Sequence, residues 1–237
     1  MNILNIIPFV STFVTFSFAA AVFNRYKHRR GEHLFLWGIG LVLYGVGTFS
    51  EAYLAWRWSE VMLRVWYLSG AMLTAAWLGQ GTVHLLIRRR SVASTLTALM
   101  IAISLVSIFS VFSARVDGSA FNSHIPISTQ YKAMMERSSL TLVLTIFLNI
   151  YGTLWLIGGA MWSAYLFARK QVLPHRVVGN FLIAGGAFLP ASAGTLIRLG
   201  LGDWLYLSEF LGAAIMFAGF VAATTPQPVS ASRPATT

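Results

Sequence analysis

The chain has 237 residues and a formal net charge of +10; 57% of its residues are hydrophobic and only 10% are charged. A soluble domain carries about 25% charged residues, so this balance excludes a water-soluble globule and points to an all-α integral membrane protein. With no cysteine, disulfides, thiolate catalysis, iron–sulfur clusters and Cys-ligated zinc are excluded together.

A membrane-crossing helix needs about 20 predominantly apolar residues. Seven runs meet that length: 3–23, 34–55, 61–87, 93–113, 141–168, 177–199 and 204–224. The first follows MNIL, which carries no positive charge, and is itself followed by the basic RYKHRR. A signal peptide has the opposite order, so a retained helix is expected. The connections RYKHRRGEH, IRRRS and RKQVLPHR are basic, whereas WRWSE and LGLGD are mixed. A longer segment, 114–140, separates the fourth and fifth runs, and its QYKAMMERSS reads as a short amphipathic helix on the outer surface. From about 226 the tail PQPVSASRPATT lacks any apolar period and is expected to be disordered.

Charge placement orients the seven-helix bundle. The loops 24–33, 88–90 and 169–176 and the tail hold eleven Lys/Arg and one acid, Glu32; the opposite side holds six bases and six acids. Cytoplasmic loops carry the Lys/Arg excess, so the N-terminus is expected outside, the C-terminus inside, and the protein in the inner (plasma) membrane. Anionic headgroups of the bilayer, not nucleic acid, are the partner implied by the basic face.

The second half resembles the first. GTFSE at 47–51 matches GTLIR at 194–198; each leads through a tryptophan-containing outer turn into a YLS step, WYLSGAM at 66–72 or LYLSEFL at 205–211. The expected domain is a single unit, 1–225, with repeat A at 3–87, a linker helix at 93–113, the outer loop 114–140 and repeat B at 141–224. Such a parallel 3+1+3 repeat places a substrate site at the repeat interface in transporters. The topology resembles that of SWEET sugar-efflux proteins, PQ-loop proteins and microbial rhodopsins. The stretches LYGVGTFSEA, WLGQGTVHLL and NIYGTLW are also similar to those of a family of bacterial seven-span proteins, a resemblance that implies no activity. The only lysines, Lys27, Lys132 and Lys170, fall in loops, so no retinal Schiff base is expected. The only Pro-Gln pair is Pro226-Gln227 in the tail.

Aligning the repeats sets Glu51 opposite Arg198, with Arg64 and Glu209 near the outer start of the following helices. Unpaired charge in hydrocarbon costs several kcal/mol, so Glu51 is expected to pair with Arg198 or Arg64, and Glu209 with the other arginine. Two roles fit this outer ring: a clamp between the triplets, or a vestibule for a polar ligand. Beneath it, Tyr44, Thr48, Asn149, Tyr151, Pro190, Ser192 and Thr195 form a candidate pocket or, alternatively, polar glue between helices. Pro190 frees a carbonyl one turn earlier. Gln80 and His84, at i and i+4, form an inner polar pair, either a proton relay or a histidine reaching the headgroups.

No Ser/His/Asp constellation, phosphate loop or metal motif is legible, so neither an enzyme nor a cofactor is expected. The leading expectation is a small-molecule transporter or permease-like protein with a small polar ligand. A ligand-binding sensor without its own output domain, an accessory subunit of a membrane complex, and a homo-oligomer stay open. Arg198→Ala should destabilise the protein by about 3 kcal/mol or more if Arg198 is paired in the bundle; thermal unfolding in detergent checks this, and an unchanged midpoint would mean that Arg198 faces water.

Overall fold

The computed structural model describes residues 6–123, 125–171, 173–198 and 204–225, and for 193–198 the helical backbone alone. The expected tail from 226, the start of the first run and the LGLGD turn lie outside the described residues. Among the described residues the chain is helical, without strands. The helices are α1 (Ile7–Arg29), α2 (Glu32–Leu54), α3 (Glu60–Leu86), α4 (Arg90–Phe112), α5 (Ile127–Met134), α6 (Ser139–Arg169), α7 (Pro174–Arg198) and α8 (Trp204–Thr224). Six of them, α1 to α4, α6 and α8, are long and apolar enough to cross a membrane. The remaining long helix, α7, has 25 residues and contains Pro190.

Local chemistry sets the ends of these helices. Pro8 sits in the first turn of α1, where a missing N–H costs nothing. Arg30, at φ 51°, closes α1 with its N–H on the Tyr26 carbonyl at 2.8 Å. Lys27, His28 and Arg29 in that last turn complement the negative end of the helix dipole. Ser59 and Ser138 cap α3 and α6, their hydroxyls accepting from the Met62 and Thr141 amides at 3.3 and 3.1 Å.

Helices α1, α2, α3, α6, α7 and α8 pack in that order into a closed ring, with α1 also touching α8. Helix α4 lies outside the ring, against α3 and α6. Its far side exposes Leu99, Leu105 and Phe109, as a lipid-facing helix requires. Short α5 seals one end: Ile127, Met134 and the following Met135 are buried in the same core as Leu63, Trp66 and Tyr67. The segment before α5 is tied back to the chain after it by Asp117 N–H to Met134 O (2.8 Å) and Glu136 N–H to Arg115 O (3.0 Å).

Lipid tails are as apolar as leucine, so helices here associate through close packing rather than water exclusion. Between α7 and α8, a Cβ on Gly186 would lie 2.8 Å from the Gly212 carbonyl oxygen, and one on Gly219 would lie 2.7 Å from that of Gly179. Between α3 and α6, Gly152 sits directly on the Ala75–Ala76 peptide. Two helices leave α winding: α3 widens to π winding over Tyr67–Leu73 and α6 over Leu154–Gly158. A side chain has no room at Gly152, whereas a Cβ on Gly158 meets nothing within 4 Å. Gly152→Ala should therefore cost about 1–3 kcal/mol through overpacking, while Gly158→Ala holds or raises the melting temperature; parallel thermal unfolding of the two variants checks the α3–α6 contact.

Candidate functional site

The helical ring encloses a cavity of about 620 Å³, lined by residues of α2, α3, α5, α6, α7 and α8. Both π segments face it, through Tyr67, Gly70 and Ala71 on α3 and Leu156 and Ile157 on α6. Wide turns of this kind occur most often at functional sites. In the α3 segment two carbonyls accept side-chain donors. The Thr74 hydroxyl donates to Ser69 O at 2.8 Å, and the Asn149 amide donates to Ala71 O at 2.8 Å. Asn149 also donates to Thr145 O in its own helix. The Tyr67 and Thr145 hydroxyls share a hydrogen bond of 3.0 Å.

Two acids reach the cavity from different helices, Glu51 on α2 and Glu209 on α8. Glu51 is 1% exposed. Its Oε1 accepts from the Trp66 indole N–H at 2.8 Å, and its Oε2 has no donor among the described residues. The Glu209 carboxyl lies within hydrogen-bonding reach of it. Tyr44 donates through its hydroxyl to the Glu209 carbonyl at 2.8 Å, fastening α2 to α8. On the α5 side the lining includes Ser128, Tyr131, Lys132 and Arg137. Arg137 donates to the Tyr131 hydroxyl at 3.3 Å and stacks over its ring at 5.1 Å. Burial pushes the Tyr131 phenol above its ordinary range, with Arg137 opposing the shift.

Arg64, expected to pair with Glu51 or Glu209, pairs with neither. Arg64 gives Nε and Nη2 to Glu60 Oε1 at 3.1 and 2.5 Å, and Nη1 to the Val111 and Phe112 carbonyls at 2.8 and 2.7 Å. The physical reason is local. Glu60 stands one turn earlier on the same face, and the last carbonyls of α4 have no partner within their own helix. Arg64 therefore closes the C-terminus of α4, and Trp66 takes the place at Glu51. The Arg198 and Thr195 side chains lie outside the described residues.

Of the expected pocket residues, Tyr44, Thr48, Asn149 and Pro190 line the cavity. Thr48 donates to Gly45 O at 3.1 Å and accepts from Thr12 of α1, also at 3.1 Å. Ser192 is turned back onto Leu189 O at 2.7 Å. Tyr151 is not in the lining; its hydroxyl donates to Gln80 Oε1. Gln80 in turn donates to Thr97 Oγ1 at 2.9 Å and Ala93 O at 3.3 Å. The His84 ring bridges Glu32 Oε2, 2.8 Å from Nδ1, and Thr97 Oγ1, 2.7 Å from Nε2. The inner polar pair thus belongs to a network joining α2, α3, α4 and α6. Among the described residues, no three His, Asp or Glu side chains gather closely enough to hold a metal ion.

Trp66, Ser128, Lys132 and Arg137 were not singled out from the sequence as site residues. Trp66 carried a signal: the Ala55–Ser59 turn folds α3 back on α2, bringing an indole N–H to the depth of Glu51. The other three carried none, because only the folding of the outer segment brings them over the cavity. Arg64→Met should free the α4 carbonyls at an expected cost of about 1–3 kcal/mol, read as a lower thermal midpoint in detergent; a midpoint unchanged from the parent would reject the capping role. Comparison with known protein families, with curated proteins and with solved structures finds no match to this chain.

Proposed function

We propose that the chain is a seven-span inner-membrane protein, N-terminus outside and C-terminus inside, that acts as a permease-like carrier for a small polar solute. One observation carries the reading: a cavity of about 620 Å³ lies within the helical ring, with an acid on it from each triplet, Glu51 buried and Glu209 half-buried. Ligand sites commonly occupy about 300–1,000 Å³, and carriers built from repeats bind at the repeat interface.

The contact order of the ring supports the repeat. A twofold exchange of α1–α2–α3 with α6–α7–α8 turns the α1–α8 contact into the α6–α3 contact, and both exist. The seventh crossing is assigned to α7, which spans 25 residues and packs along α8. The π segments and Pro190 support a mobile wall, since helices with irregular turns rearrange at lower cost than ideal ones.

The cysteine-free chain allows a direct test. Ala191 and Leu78 both line the cavity. In separate variants, Ala191→Cys and Leu78→Cys, a membrane-impermeant methanethiosulfonate should modify the first thiol from the outside of intact cells and the second in inverted vesicles. Arg89→Cys should react in inverted vesicles alone. Reaction at neither cavity position from either side would reject the carrier reading, and reaction of the Arg89→Cys thiol in intact cells would reverse the orientation.

A further inference from the structure

Two polar atoms of the cavity-lining residues receive no hydrogen bond from a donor group among the described residues, and the only carboxyl named beside Glu51, that of Glu209, is itself an acceptor when ionised. Glu51 Oε2 belongs to a side chain only 1% exposed and faces no donor among the described residues. Ser128 Oγ, on a residue 6% exposed, lacks a partner too and lines the same cavity from α5. A buried polar atom left unsatisfied costs about 1–3 kcal/mol, and more when it is charged. Two such atoms on residues that line one void are an arrangement that a ligand completes.

The chemistry of the missing ligand follows from the rest of the wall. Glu51 Oε2 and the neighbouring Glu209 carboxyl call for N–H donors carrying positive charge. Trp66, Tyr67 and Tyr131 present aromatic rings on the same cavity, and such rings attract a cation. Lys132 and Arg137, on the α5 side, favour an anionic group at the other end. A bare cation would meet these two bases and a bare anion would meet the two acids. A zwitterion satisfies both ends and brings no net charge into a low-dielectric site, where an uncompensated charge is costly. Two carboxylates without a third ligand make a poor metal site, and no larger acidic grouping exists among the described residues.

We propose that the cavity binds a small zwitterionic amine of the amino-acid class, its ammonium between Glu51 and Glu209 and its anionic end towards Lys132 and Arg137. This rests on the carrier reading and names its substrate class. Ser128 then supplies a hydrogen bond to the ligand from α5, so binding draws the outer segment onto the bundle.

The test is protection of the introduced thiol in the full-length Ala191→Cys protein in mild detergent, modified by neutral N-ethylmaleimide. The probes are leucine and 4-aminobutanoate as zwitterions, butylamine as the amine alone and butanoate as the acid alone. At least one zwitterion should slow modification about tenfold once near ten times its dissociation constant, as mass action requires. Butylamine should protect less and butanoate not at all. Adding Glu51→Gln should remove the protection, and Lys132→Ala should remove the advantage of the zwitterion over butylamine. If Glu51→Gln does not yield a monodisperse protein, Glu209→Gln serves the same comparison. Protection by butanoate equal to that of the zwitterions, or protection that survives both glutamine substitutions, overturns the proposal. A thiol that reacts freely but is protected by no zwitterion overturns it while leaving the carrier reading intact; a thiol that never reacts overturns both.

Discussion

Inside a bilayer no water is present to satisfy a backbone N–H or C=O, so each must be satisfied by the protein itself. The fold depends on this constraint more than on any single contact. It explains why the described chain is helical, and it makes each departure from α winding informative. The π turn of α3 displaces carbonyls that Thr74 and Asn149 then hold. Residues of both π segments line the cavity. At the C-terminal end of α4 the same requirement is met by a charge, with the Arg64 guanidinium covering two terminal carbonyls.

Polar groups consequently fall into two populations with different company. Away from the cavity Glu32, His84, Gln80, Thr97 and Tyr151 answer one another in a network across four helices. Such a network rigidifies a bundle and specifies its packing. Around the cavity, by contrast, Glu51 is answered on one oxygen and left open on the other. Glycine-to-backbone contacts hold α7 to α8 and α3 to α6 closely, so the void is not the product of loose packing. It persists between helices that elsewhere touch backbone to backbone.

The outer segment joins these two themes. Its α5 buries Ile127, Met134 and Met135 in the core shared with Trp66 and Tyr67, and also supplies Ser128 and Lys132 to the cavity wall. One element therefore both closes an end of the bundle and contributes chemistry to its interior.

Composition and hydropathy alone determined the helical membrane class and the helix boundaries: the seven expected runs coincide with α1 to α4 and α6 to α8 to within a few residues at most ends. This follows because apolar length and basic or proline-containing stops are local properties, readable without knowledge of neighbours. Cavity residues on the long helices, Tyr44, Thr48, Glu51, Asn149, Pro190 and Glu209, were legible for a similar reason, as polar or helix-breaking groups within greasy runs. Partner choice was not local, and only the tertiary structure decided it. Arg64 turned to Glu60 and to the carbonyls that end α4, Trp66 took Glu51 through an indole N–H, and Tyr151 left the pocket for Gln80. Where a side chain has several possible partners, the three-dimensional path of the backbone selects among them.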